Sequence, residues 1–132
     1  MEAMLALIFT IAVEIGVPPE FAQAIAITEN WTLNPNAMSK MNSNGTRDLG
    51  IMQLNSKYYG HIDWRDPRTN IKHGCLHIKR LIQDRRTSTL WSVALAYNCG
   101  LGRINNPPPG SVDYADKVIE KYGELLFVIV KK

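Results

Sequence analysis

Apolar residues recur at helical spacing over most of the chain and predict a mainly α-helical protein. Ala3 to Ile15 forms a first helix, stopped by Gly16 and the Pro18-Pro19 pair. A second helix runs from about Pro19 to Asn30, with Pro19 suited to a first turn and Glu20 to a helix N-terminus. Within it Phe21, Ala22, Ile25, Ala26 and Glu29 share a face that is apolar until it ends in an acid. From Trp31 to Asp48 the composition turns to Asn, Ser, Pro and Gly, which marks loops and turns. Asn44-Gly45 is a tight-turn pair, and short strands flanking it would make a small β-hairpin. Leu49 to Leu54 is too short and apolar for a free loop, so it starts a helix or packs inward. Asp66-Pro67 begins another element, and Asn70 caps a helix from Ile71 to about Asp84. Thr87 to Ser92 opens a further helix through Tyr97, ended by Gly100 and Gly102. Consecutive prolines between Asn105 and Gly110 make a stiff extended loop. The last helix runs from Val112 to about Phe127, with Tyr114, Val118 and Tyr122 in register. Without repeats or a linker, residues 1–132 are expected to form a single domain.

Composition narrows the class. With 132 residues, 45% hydrophobic and 20% charged, the chain has material for one core and disorder is excluded as a default. Its net charge of +3 suits a polyanionic surface such as a bacterial wall. Basic and acidic residues are interspersed, with no Lys/Arg block or aromatic-basic ladder, so nucleic acid is not an expected partner. The apolar run Met4 to Val13 is too short to span a bilayer, and no membrane insertion is expected. No basic residue precedes that run, and cleavage at Ala22-Gln23-Ala24 would cut the helix that carries Glu29. It therefore reads as a core helix and not as a signal peptide. Cys75 and Cys99 lack Cys-x-x-Cys spacing; a bridge and two separate thiols both remain open. His73 and His77 have i, i+4 spacing but no third ligand, so neither a metal site nor a cofactor is expected. A calcium loop around Asn42 and Asn44 fails, because Lys40 and Ile51 would occupy its first and last ligand positions.

The chemistry gathers at two places. A carboxylate at the edge of a core, as at Glu29, is a candidate for a raised pKa and hence for proton donation; the plainer reading is a solvated acid at a helix end. The segment from Asn44 to Ser56 places a turn, the carboxylate of Asp48, an apolar glycine-bearing stretch and the amides of Gln53 and Asn55 in succession. Amides offer donors and acceptors that match sugar hydroxyl and acetamido groups, or they cap local backbone. Trp91 reads as core, and Trp31 and Trp64 are either core or sugar-stacking residues.

These residues fall into an order. Glu29, then Asn34-Pro35-Asn36-Ala37 with Ser39, then Gly50-Ile51-Met52-Gln53, then Ala96-Tyr97-Asn98-Cys99-Gly100 resemble the ordered motifs of the soluble lytic transglycosylase family. The spaced Tyr114, Val118 and Tyr122 resemble that family's closing helix. The resemblance implies a lysozyme-like fold, mainly α with a small hairpin beside the active-site cleft. It also implies cleavage of the β-1,4 bond between N-acetylmuramic acid and N-acetylglucosamine in peptidoglycan. Glu29 would be acid and then base, and the sugar's own 6-hydroxyl would close onto C1 to give a 1,6-anhydro product. Gln53, Met52, Tyr97, Asn98 and Tyr114 would bind the glycan near the acid.

The chain departs from the family in four respects. Asn30 stands where Ser is usual, one extra residue precedes Asn34-Pro35, and Cys99 replaces a common Ala. The fourth is Asp48, whose surrounding segment also resembles that of animal-type lysozymes and of some specialised relatives linked to secretion and conjugation. A second carboxylate implies the alternative of a muramidase that uses water. A plainer role for Asp48 is to orient the turn through backbone bonds. From a different class, the chain would be a glycan-binding module without activity, which retention of Glu29 argues against. Peptidoglycan lies outside the cytoplasm. A secretion, conjugation or phage assembly, or excision from a longer protein, would each account for access to the wall.

Overall fold

The second helix lies at the centre of the molecule. In this computed structural model, which describes residues 1–131 and the side chains of 1–127, α1 spans Glu2–Ile15 and α2 spans Pro19–Glu29. The strands β1 (Asp48–Leu49) and β2 (Leu54–Asn55) follow, then α3 (Ser56–Tyr59), α4 (Pro67–Gln83), α5 (Leu90–Cys99) and α6 (Pro109–Lys131). Helix α2 packs against α1 on one side and α6 on the other, α4 closes on α1, and α5 lies between α4 and α6. Phe21, Ala22, Ala24, Ile25 and Ala26 are all buried, so α2 hides more than one face. Its small alanines leave room for two neighbouring helices, and Phe21 meets the edge of Tyr122 with centroids 5.7 Å apart. The mainly helical body with one two-stranded antiparallel hairpin is the expected lysozyme-like architecture.

Helix ends follow local chemistry. Gly16 closes α1 in the left-handed region, and Lys79 of α4 donates to the Ile15 carbonyl at 2.8 Å. Thr89 and Ser92 form a capping box at α5. Helix α4 begins earlier than the sequence reading placed it. Asp66 is the N-cap, accepting from the Thr69 N–H at 3.0 Å, with Pro67 in the first turn. Asn70 is therefore no cap: it lies inside the helix, fully buried. Helix α6 likewise starts at Pro109, before Val112.

The hairpin also differs from expectation. Strands β1 and β2 pair Asp48 with Asn55 and Leu49 with Leu54, so they flank residues 50–53 and not Asn44-Gly45. The Asn44-Gly45 turn does form, with the Gly45 N–H donating to the Asn42 carbonyl at 2.9 Å. Asparagine and threonine side chains occupy it, however: Asn42 donates to the Thr46 hydroxyl, which donates to the Asn44 amide oxygen. Local side-chain bonds of this kind compete with a strand ladder, and only a Met38–Leu49 bridge extends the pairing.

Asn70 explains why residues 49–52 turn inward. Its Oδ1 accepts from the Met52 N–H at 2.8 Å, and its Nδ2 donates to the carbonyls of Leu49 and Trp64, each at 3.0 Å. Gly50 has a φ of 75°, and a Cβ there would collide with the Asn70 amide and the Trp64 carbonyl. Ile51 and Met52 are fully buried. Met52 lies over Gly74 so closely that a Cβ on Gly74 would come within 2.7 Å of its Cγ. Replacing Asn70 by Leu would strand three buried backbone groups, at about 1–3 kcal/mol each. Asn70→Leu is expected to lower stability by roughly 3 kcal/mol or more in urea unfolding; a loss below about 1 kcal/mol would show that the amide does not hold this turn.

Candidate active site

Glu29 is the last residue of α2, delivered by the buried helix to the wall of a cleft of about 780 Å³. The carboxyl is half-buried, and burial is the main reason its pKa is pushed up to about 8. Two weaker influences oppose each other. The Tyr114 hydroxyl acts to lower the value, and the nearby Asp48 carboxylate acts to raise it. Tyr114 points its hydroxyl from α6 toward Glu29, yet that buried oxygen completes no hydrogen bond of normal geometry. At neutral pH Glu29 therefore holds its proton.

Asp48 on β1 and Gln53, at the end of the inward turn, line the same cleft as Glu29. Gln53 adopts a left-handed φ of 52°, and its Nε2 donates back to the Gly50 carbonyl at 2.9 Å. A non-glycine residue in this region costs about 1 kcal/mol or more, and such strain clusters at functional sites. Among the described residues the Asp48 carboxylate accepts only from Asn55 across the hairpin, at 3.4 Å. Bonds that shape the Asn44-Gly45 turn come from Asn42, Asn44 and Thr46, so Asp48 is not the residue that orients it.

Helix α5 contributes Tyr97 and Asn98 to the cleft lining. Burial holds the Tyr97 phenol well above its ordinary range, so it stays a donor, and it donates to the Met52 carbonyl at 2.6 Å. Asn98 lies within α5, with Gly100 as the C-cap; its side chain is exposed to the cleft and is not a cap. Two of the residues expected to bind glycan do not line the cleft. Met52 is fully buried, and its contribution is the carbonyl that anchors Tyr97. Tyr114 is 9% exposed and reaches the site only through Glu29.

Residues that belong to no motif also build the site, Asn70, Tyr59, His77 and Arg80 among them. Asn70 fixes the turn, while Tyr59, His77 and Arg80 line the cleft. Asn70 had a usable signal: it stands four residues before Gly74 and eight before Ile78, on the apolar stripe of α4. An amide on such a stripe must find buried partners. The His77 ring lies against Tyr97 with centroids 5.3 Å apart, and burial, helped by Arg80, lowers its pKa to about 4, so it is neutral. Among the described residues no group of His, Cys, Asp or Glu is placed to hold a metal ion. Cys75 and Cys99 are free thiols; burial pushes Cys75 up to about 12. Trp64 is buried with Arg65 over its ring, Trp91 is half-buried with its indole N–H on Asp116, and Trp31 is 74% exposed.

An acid kept protonated by burial, in a cleft edged by amides and phenols, is the setting for glycoside cleavage. Residues 6–119 match the family described as the transglycosylase SLT domain. The chain belongs to this family. No match is found among curated proteins. As an SLT domain the protein is an enzyme of the peptidoglycan lytic transglycosylase type, and its substrate lies in the bacterial cell wall. The match spans the Glu29, Gln53, Tyr97, Asn98 and Tyr114 positions. No helix among the described residues is long and apolar enough to cross a membrane.

The raised pKa of Glu29 also sets how SLT-domain stability depends on pH. The folded state binds the Glu29 proton more tightly than the unfolded state, whose value is near 4.5. The stability that this proton confers is complete below pH 4.5 and is lost as pH rises through about 8. Glu29→Gln removes the penalty of ionising a buried acid. It is expected to raise Tm at pH 9 by roughly 4 °C or more, with the gain shrinking toward pH 5. An equal shift at both pH values would mean that Glu29 is not the titrating group.

Proposed function

We propose that the protein is a lytic transglycosylase that breaks the β-1,4 bond between N-acetylmuramic acid and N-acetylglucosamine, with Glu29 as its only obligatory acid and base. The single observation that carries this reading is the half-buried Glu29, protonated at neutrality and open to the cleft. Its proton passes to the glycosidic oxygen as the C1–O4 bond breaks, leaving positive charge at C1. The Glu29 carboxylate then takes the proton of the muramyl 6-hydroxyl as O6 bonds to C1. The acid is restored, no water is consumed, and a 1,6-anhydro sugar is released. Gln53 and Asn98 offer amides to the sugar substituents, and Tyr97 holds the cleft wall. The chain is read as one catalytic domain over 1–132.

A second reading rests on Asp48. It lines the same cleft and lies near enough for its charge to raise the pKa of Glu29. In a muramidase it would serve as the second carboxylate, with water completing hydrolysis. The two readings differ in product: the transglycosylase releases muropeptides one water lighter than the reducing-end products of hydrolysis, which mass spectrometry of digested peptidoglycan resolves. Glu29→Gln is expected to cut turnover by about 10²-fold or more. Asp48→Asn is expected to cost less than about tenfold; a loss as deep as that of Glu29→Gln, together with reducing-end products, would establish the muramidase. Since the free enzyme must hold the Glu29 proton, kcat/KM should decline as pH rises past about 8. A decline centred near pH 5 would show that another group supplies the proton.

A further inference from the structure

The part of the cleft lining that α4 supplies carries positive charge that glycosidic-bond cleavage does not use. Arg80 lines it, and its guanidinium donates to the Tyr59 hydroxyl at 3.2 Å. That partner is neutral. Among the described residues the ion pairs are Arg86–Asp84 and Lys121–Glu124, so Arg80 has no carboxylate of its own. Tyr59 is held in turn, with its ring edge-on to His73 at 5.9 Å. The ionisable side chains that act on His73 are Lys72, Arg80 and His61, all of them basic residues. His77, the remaining basic side chain of the cleft lining, is neutral. Among the described residues Arg80 is thus the one permanent cation on the cleft; Asp48 is an acid on the same lining that forms no ion pair with it, and the amides and phenols suit neutral sugars.

Peptidoglycan sugars are uncharged along their backbone. Their carboxylates sit on the muramyl substituent, either as the free lactyl acid where the peptide is absent or on the peptide stem where it is present. We propose that Arg80, steadied by Tyr59, docks a carboxylate carried by the muramyl substituent, and so selects acid-bearing glycan over neutral N-acetylglucosamine polymer. This deepens the transglycosylase reading and rests on it for the substrate. A guanidinium offers paired N–H donors to a carboxylate, and its preset position reduces the ordering needed on binding. Because Arg80 is exposed, the contact is screened and its effect is modest.

Calorimetric binding tests this in a Glu29→Gln background, where slow turnover does not obscure affinity. The probes are a neutral N-acetylglucosamine oligomer, a stem-free muramyl oligomer with its lactyl acid, and a stem-bearing muramyl oligomer. Adding Arg80→Gln is expected to weaken binding of an acid-bearing probe about three- to tenfold, while the neutral oligomer changes less. A loss confined to the stem-free probe identifies the lactyl acid as the ligand, and one confined to the stem-bearing probe identifies the peptide. Tyr59→Phe should produce a smaller loss on the same probe, and added salt should narrow the difference. Equal loss on all three probes, or no loss on any, overturns the proposal. Cleavage by the unaltered protein is scored separately. A protein that binds acid-bearing glycan through Arg80 yet cleaves none refutes the transglycosylase reading and leaves the anchor standing.

Discussion

The site is organised around the backbone of Gly50 to Met52. Asn70 grips this turn from inside α4, bonding the Met52 N–H and the Leu49 carbonyl. The Gly50 N–H donates to the Ala37 carbonyl at 2.7 Å, and the Gly50 carbonyl receives the side chains of Asn30 and Gln53. The Met52 carbonyl receives Tyr97. Segments far apart in the chain thus meet on four consecutive peptide units. Buried backbone groups must be paired, so loss of a partner leaves the backbone group it served short of a bond. The ordered motifs are pieces of one hydrogen-bonded hub as well as parts of a catalytic signature.

The hub and α2 do different work. Helix α2 is buried by its neighbours on two sides, and it brings Glu29 to the cleft with most of its water removed. The hub brings Asp48 and Gln53 to face it. Burial alone raises the Glu29 pKa, and a carboxylate close by raises it further. Asp48 thus has an effect on the acid even if it never touches the substrate. It favours the protonated form that proton donation requires, and this role is compatible with either product.

Much of the fold was legible because the helices advertise themselves through apolar periodicity and through glycine and proline at their ends. The boundaries of α1 and α2 follow that logic within a residue. The start of α4 did not, because Asp66 and Asn70 are both competent caps and only the tertiary partners of Asn70 distinguish them. The hairpin register was misplaced for a similar reason: Asn44-Gly45 is a turn signal, but the turn that orders the strands is held by a side chain from a distant helix. At the site, Glu29, Asp48, Gln53, Tyr97 and Asn98 could be read from local chemistry and resemblance. The anchoring role of the Met52 carbonyl could not, since it belongs to the backbone and not to the residue type. His77, Arg80 and Tyr59 carry no motif; helix packing brings them to the cleft.

Asn30 ties the loop that follows Glu29 to the hub. Where the family usually has Ser, Asn30 is buried and its Nδ2 donates to the Asn34 carbonyl at 2.9 Å and to the Gly50 carbonyl at 3.4 Å. Its Oδ1 accepts from the Thr32 hydroxyl and, at 3.4 Å, from the Asn34 N–H. A serine hydroxyl is shorter and brings one donor. An amide brings two donors and an accepting oxygen at greater reach. Through these bonds one buried amide ties the end of α2 to the Asn34 turn and to Gly50, so the position of Glu29 relative to the hub depends on Asn30.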